Sequence, residues 1–262
     1  MCQAKVSKVI IVKGNDAAVM VSKGLSELNV RPHKEKVVIK PNLIVNRPYP
    51  TTTSAETVEA IARYCMRLGK DVVIAEGSGW ANTYEAFRDQ GYLEVAEKCG
   101  VKLVDLNEDQ YEIRRDPQAM VLKEFEFPLT LMNSYLISAA VLKVHSTTTM
   151  TLSLKNMLGA TIRRDKGRFH NYGINESIVD INRYKTPDLA IIDGRMGNVA
   201  GELGGRTKRF DLMVFSEDPV AADAVGASIL GLNPLSVTHL RLAQDKALGI
   251  ADLKKIDIVE VR

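Results

Sequence analysis

Hydrophobic and polar positions along the chain switch repeatedly between a two-residue and a 3.6-residue period, and each switch marks a change of element. Short β-branched runs predict strands at Val6–Lys13, Val37–Ile39, Val72–Ala75, Val101–Val104, Tyr135–Val144, Leu189–Ile192, Leu212–Phe215 and Ile256–Val261. Between them, helical spacing covers Asp16–Leu28, Ser54–Leu68, Tyr84–Cys99 with a break near Gly91, Met150–Leu158, Ile174–Tyr184, Pro219–Leu230 and Leu235–Ala247. Thr53 or Ser54 is placed to cap the second of these helices, and Asp218 precedes a proline at the favoured first helical position. Rough polar–apolar alternation over Glu112–Phe127 predicts an antiparallel excursion.

Strands alternating with helices define an α/β fold with a mainly parallel sheet flanked by helices. At 262 residues the chain is long for one ordinary domain and short for two. The expectation is a single α/β domain over residues 1–262, with two closely joined lobes, 1–130 and 131–262, and a cleft between them. No apolar run approaches the ~20 residues of a membrane span, and the first residues lack the apolar core and cleavage site of a signal peptide. A net charge of +3 is too mild to point to nucleic acid. Cys2, Cys65 and Cys99 are scattered, which fits a reducing compartment and predicts a cytoplasmic protein without a disulfide framework.

The chemistry gathers at predicted strand ends. In open α/β sheets, ligands bind beyond the carboxyl ends of the strands. Lys40, Glu76, Asp105, His145 and Asp193 all stand at such positions. Lys143 and His145 are two residues apart on a strand and so share a face. The hydroxyls of Ser146–Thr149 then fall at the start of the predicted Met150–Leu158 helix, where free N–H groups favour anions. On that helix Thr148, Thr151 and Lys155 share the polar side, followed by Asn156. Two lysines, a histidine and hydroxyls around a helix start suit phosphate or carboxylate.

Two further segments have similar chemistry. Lys40-Pro-Asn42 leads to Thr51, Thr52 and Thr53, again before a helix, and Glu76-Gly-Ser78-Gly is a turn between strand and helix. Neither is a Walker loop or a complete G-x-G-x-x-G, so no nucleotide is specified. Arg163–His170 forms a basic loop, either solvated or a flap over an anionic ligand. Asp193-Gly-Arg-Met-Gly and Gly201–Gly205 read as a glycine-rich loop. His145, His170, Glu76, Asp193 and Asp223 could ligate a divalent metal, although no short spacing motif ties them together. Asp223 stands in an otherwise apolar helix and needs a buried hydrogen-bonding partner.

In this order, Ile39-Lys-Pro-Asn-Leu43, Ala75-Glu-Gly-Ser78, Leu142-Lys-Val-His145, Thr151-Leu-Ser-Leu-Lys-Asn-Met-Leu-Gly159, Ile192-Asp-Gly194, Gly201 to Gly205 and Asp218-Pro-Val-Ala-Ala-Asp223 resemble the domain-of-unknown-function 362 (DUF362) family. Many relatives carry a ferredoxin-like segment with clustered cysteines. Three scattered cysteines cannot supply the four thiolates of a cluster within one chain, so the iron–sulfur label is not expected to transfer. The Lys/His strand end, small-residue turn and Lys before Gly are also remotely similar to the nickel-pincer lactate racemase family, in which histidines and a lysine serve a nickel cofactor. The full histidine set of that family and its glycine-rich run are missing.

The first reading is an enzyme acting on a small anionic metabolite. Lys40, Lys143 and Lys155 would hold its phosphate or carboxylate. His145 would act as acid/base or metal ligand, with Lys143 beside it and Asp193 and Glu76 orienting it or binding a cation. Asn42, Thr51, Thr52, Thr53, Ser78, Thr148, Thr151, Asn156 and His170 complete the expected ligand-binding set. The alternatives are a non-catalytic module for an anionic cofactor and a redox role. Substrate, cofactor and oligomeric state stay open.

Overall fold

Central strands of this protein are buried on both faces, which is why they read as unbroken β-branched runs and not as alternating ones. The computed structural model describes residues 6–262. In chain order the elements begin β1 (Ser7–Lys13), α1 (Ala17–Glu27), β2 (Lys36–Pro41), α2 (Ala55–Arg67), β3 (Asp71–Glu76), α3 (Thr83–Asp89), α4 (Tyr92–Cys99) and β4 (Lys102–Asp105). A separate hairpin follows, β5 (Tyr111–Arg115) and β6 (Glu124–Pro128), the predicted antiparallel excursion. The chain continues through β7 (Ser134–His145), β8 (Thr149–Thr151), α5 (Ser153–Asn156), α6 (Arg168–Tyr172), α7 (Ile174–Tyr184), β9 (Leu189–Asn198), β10 (Thr207–Ser216), α8 (Pro219–Ile229), α9 (Thr238–Asp245) and β11 (Ile256–Val261).

The main sheet runs β11-β1-β10-β9-β7-β2-β3-β4, with β8 paired to β7. Every neighbouring pair is parallel except those made by β10 and β8. One face packs on α1–α4 through residues such as Leu25, Ile61 and Phe87. The other packs on α5 and α7–α9 through residues such as Leu154, Ile178, Val225 and Leu240. β7 pairs with β2 on one side and β9 on the other, and β1 lies between β11 and β10. Segments from both sides of position 130 therefore share one sheet.

Caps fix the helix starts. Asp16, Ser54 and Asn82 accept from Val19, Thr57 and Glu85 backbone N–H, and Asp218 accepts from Val220 and Ala221. Gly91, at φ 81°, separates α3 from α4 as the break in periodicity predicts.

The structure corrects the predicted Met150–Leu158 helix, which bears on the site. Residues 150–158 do not form one helix. β7 turns back after His145 into the antiparallel strand β8, and only then comes the single turn α5 with a 3-10 turn over Met157–Ala160. The β-branched Thr148, Thr149 and Thr151 favour extended backbone, and Thr149 itself stands at φ 69° in the turn, which is strained for a β-branched residue. The hydroxyls of residues 146–149 thus decorate a hairpin turn and not a helix N-terminus. The glycine-rich stretch is also divided: residues 193–198 belong to β9, while Gly201, Gly204 and Gly205, all at positive φ, make the tip of the β9–β10 hairpin.

From β2 the chain moves outward to β3 and β4, then returns to the opposite side of β2 at β7. Connections diverge between β2 and β7, and in open sheets such a switch point leaves a crevice at the carboxyl ends.

Candidate functional site

At that switch point lies a cavity of about 360 Å³, lined from the ends of β2, β3 and β7, from β8–α5, from residues 164–170 and from the β9–β10 tip. Its lining holds five Lys or Arg side chains against three carboxylates. Of the expected site residues it gathers Lys40, Asn42, Glu76, Lys143, His145, Thr151, Lys155, Asn156 and His170.

The floor is a continuous polar network. Lys40 donates to Glu76 Oε2 (2.9 Å), Asn156 Oδ1 (3.0 Å) and the Pro41 carbonyl (2.7 Å). Lys143 donates to Asn42 Oδ1 (2.8 Å), the Thr51 carbonyl (2.7 Å) and, at 3.4 Å, the Glu202 carbonyl. Lys166, not singled out in the sequence, donates to the Thr161 carbonyl (2.6 Å), Thr161 Oγ1 (3.1 Å) and the Arg163 carbonyl (2.7 Å). An ammonium has three N–H donors, so these three lysines are saturated by the protein. Gly159 permits the close packing above the floor: a Cβ there would stand 2.1 Å from Glu76 Oε1 and 2.8 Å from Lys40 Nζ.

Lys155 differs. It lines the cavity, yet no hydrogen bond or ion pair among the described residues engages its ammonium. Beside it on β8, Thr151 Oγ1 is buried without a hydrogen-bond partner and also lines the cavity. Burial lowers the pKa of all four lysines, to about 7 for Lys143 and Lys166 and to about 8 for Lys155, where the charge of Glu202 works in the opposite direction.

His145 Nδ1 accepts the backbone N–H groups of Thr147 (3.0 Å) and Thr148 (3.3 Å). The neutral ring therefore carries its proton on Nε2, which lies 3.9 Å from Glu202 Oε1. Burial, then the charge of Lys155, lowers the His145 pKa to about 4, so the ring is neutral at neutral pH. Burial opposes the charge of Glu202, but hydrogen bonds from its own backbone and from Ser146 hold its carboxyl below the usual range. With Nδ1 facing two amide donors, Nε2 serves as a hydrogen-bond donor. Accepting a proton or a metal at Nε2 would require the 146–148 turn to rearrange.

Several expected ligand residues are turned into the protein instead. Thr52 Oγ1 donates to the Arg47 carbonyl (2.5 Å), and Thr53 Oγ1 donates to the Ala139 carbonyl (2.7 Å) while accepting Asn42 N–H. Thr51 meets Lys143 through its carbonyl and donates its N–H to the Pro48 carbonyl. Ser78 Oγ donates to the Leu43 carbonyl and Thr148 Oγ1 to the Met150 carbonyl. These hydroxyls hold the loops that shape the cavity.

Asp193 is not brought to His145. Its carboxylate accepts from Tyr49 Oη (2.9 Å), Thr57 Oγ1 (2.7 Å) and Arg195 Nη2 (2.9 Å), and Arg195 continues to Glu56 (2.8 Å). That buried network ties β9 to the start of α2. Asp223 accepts Ser153 N–H (2.8 Å) and Leu154 N–H (2.9 Å), so it caps α5, and burial pushes its carboxyl up to about 7.

The sequence reading offered the 163–170 loop, which brings Arg164, Lys166 and His170 to the cavity, as one possible flap, but singled out neither Arg164 nor Lys166, and it did not single out Trp80 or Glu202. Glu202 stands among the tip glycines, a context that could have singled it out. Trp80, the single tryptophan, offered no periodic signal. Among the described residues no group of three or more His, Cys, Asp or Glu side chains is gathered to hold a metal. Cys65 and Cys99 are free and buried, and Cys2 lies outside the described residues.

Fold and site together define an α/β protein with a basic cavity at the switch point of a mainly parallel sheet. The family model described as "Domain of unknown function (DUF362)" matches residues 37–228, a span that contains every residue lining the cavity, and the chain belongs to this family. It is also similar to the thylakoid-associated protein sll1697 of Synechocystis sp., with 25% identity over 226 residues, 82% of this chain and 68% of the relative. No solved structure matches it. Neither comparison shows the similarity to lactate racemases. No helix among the described residues is long and apolar enough to cross a membrane.

Proposed function

We propose that the cavity binds a small anionic metabolite through a carboxylate or phosphate, with Lys155 as the charged contact. The observation that carries this reading is the contrast among four lysines of the cavity: Lys40, Lys143 and Lys166 are buried and saturated by protein oxygens, whereas Lys155 is half-buried and faces the cavity with its donors free. A partly desolvated ammonium without a protein partner gains from an opposite charge, and an anionic ligand supplies that partner. Thr151 Oγ1 and the Nε2–H of His145 add two neutral donors for the same oxygen atoms.

Turnover, in addition to binding, is the second reading. Lys155 is brought to about 8 and so is ionised in part near neutral pH, the condition for efficient proton transfer. In that case Lys155 serves as the proton-transfer group and His145 as the donor that polarises the substrate. Lys40, Glu76, Asn42, Asn156 and Lys143 bond to one another and to nearby backbone and form the floor beneath these groups.

Thermal-shift measurements against carboxylates and phosphates test the reading. A ligand at about 100 times its Kd adds about 2.7 kcal/mol of stability, a rise of roughly 5–11 °C for a chain of this length. The rise should vanish in Lys155→Met and survive in part in Lys155→Arg. Equal rises in the wild type and Lys155→Met would remove Lys155 from the site.

A further inference from the structure

The cavity is graded from floor to mouth. Lys143, Thr151 and Asn156 lie at its buried end, whereas Trp80 is 76% exposed and Leu203 40% exposed. Ile44 and Leu158 line the cavity as well. An exposed tryptophan is unremarkable when its loop is free to move, but this loop is pinned. Gly77 N–H donates to the Gly159 carbonyl (2.9 Å), Asn107 Nδ2 to the Ser78 carbonyl (2.9 Å) and Trp80 N–H to the Ile44 carbonyl (2.9 Å). Ser78 Oγ adds a bond to the Leu43 carbonyl. On the other side, Arg47 donates to the Leu203 carbonyl and so ties down the β9–β10 tip. The fold thus presents a large apolar ring to solvent on a fixed backbone, at the entrance of a site whose floor is built for charge. Arg164 and Asp165 also stand at the rim, adjacent and of opposite sign, and do not alter its balance.

Small-molecule sites combine a few polar groups that fix orientation with apolar and aromatic walls that supply contact area. A bare inorganic anion or acetate would use the floor alone and leave Trp80, Ile44 and Leu203 without a role. Resting on the anion reading above, we infer that the ligand of this cavity is an amphipathic anion: a carboxylate or phosphate at Lys155, joined to an aromatic body that stacks on Trp80 at the mouth. Offset stacking on the indole and burial of the ring edge supply the affinity that the charge alone does not.

Calorimetric titration with two matched pairs tests this: benzoate against acetate, and phenyl phosphate against inorganic phosphate. For at least one pair the ring-bearing anion should bind the wild type at least about tenfold more tightly than its partner. Trp80→Ala should erase that gap while keeping the affinity for the small anion, and Trp80→Phe should restore most of it. Because Trp80 is the single tryptophan, its emission reports the mouth alone. The ring-bearing anions should quench or shift it, and acetate should leave it unchanged. Equal affinities within both pairs, with Lys155→Met abolishing them, would overturn the aromatic body and leave the anion site standing. Affinities unmoved by Lys155→Met, or no binding of any of the four probes, would overturn both.

Discussion

Replacing Gly159 with alanine is expected to break the buried ion pair beneath the cavity. The new Cβ would stand 2.1 Å from Glu76 Oε1 and 2.8 Å from Lys40 Nζ, closer than any real contact of that kind. Neither side chain has room to move. Glu76 is held by Lys40, Leu43 N–H and Gly77 N–H, and Lys40 by Glu76, Asn156 and the Pro41 carbonyl. Both side chains are about fully buried. Separating such a pair leaves uncompensated charge in the interior, at a cost of about 3–5 kcal/mol. For a chain of this size that lowers Tm by roughly 6–20 °C. Thermal unfolding followed by circular dichroism reads the shift. A Gly159→Ala variant melting within about 2 °C of the wild type would refute the claim that this ion pair needs the glycine above it.

Three other outcomes follow from the same contacts. Asp223→Asn turns an amide NH₂ toward one of the two N–H groups at the start of α5, and should cost about 2–3 kcal/mol in denaturant unfolding; an unchanged midpoint would deny the capping role. Lys143, Lys155 and Lys166 hold protons up to about 7–8 when folded but up to the ordinary lysine value of 10.5 when unfolded. The unfolded state then binds more protons between these values, so stability should rise with pH from about 7 to 9, by up to about 1.4 kcal/mol per pH unit for each lysine. Cys65, pushed up to about 12 by burial, opposes this only above about 9. A flat or falling stability curve over that interval would contradict the burial of these amines. Nitrogen-15 NMR should find His145 neutral and protonated on Nε2 down to about pH 5, whereas a proton on Nδ1 would reopen its use as a metal ligand or base.

Much of the fold was legible because local signals agreed with one another. Val37–Ile39 and Val72–Ala75 are continuous apolar runs, Gly91 breaks a helical period, and Asp218-Pro219 starts a helix. The Met150–Leu158 segment misled because its apolar spacing fits a helix, while its threonines and the distant cap at Asp223 divide it into strand, turn and single helical turn. At the site, strand-end logic brought Lys40, Glu76, Lys143 and His145 to one place. It could not tell a saturated lysine from a free one. That distinction depends on acceptors such as Asn42, Thr51 and Asn156 arriving from other parts of the chain. Asp193 shared the strand-end pattern, but its side chain meets Tyr49, Thr57 and Arg195 away from the cavity. Trp80 carried no pattern at all, and only its place at the mouth gives it meaning.

The most direct measurement is calorimetric titration of the wild type and Lys155→Met with benzoate and benzenesulfonate, at about pH 6.5 and about pH 9. Both probes keep one negative charge across that interval, so any change in affinity belongs to the protein. With Lys155 at about 8, roughly a tenth of its ammonium survives at the higher pH. The wild type should therefore bind at least one probe about tenfold more weakly there, and Lys155→Met should bind weakly at both pH values, keeping only the smaller pH dependence that Lys143 and Lys166, at about 7, impose on the cavity. Wild-type affinity and the same pH dependence in Lys155→Met would contradict the assignment of Lys155 as the charged contact of the cavity.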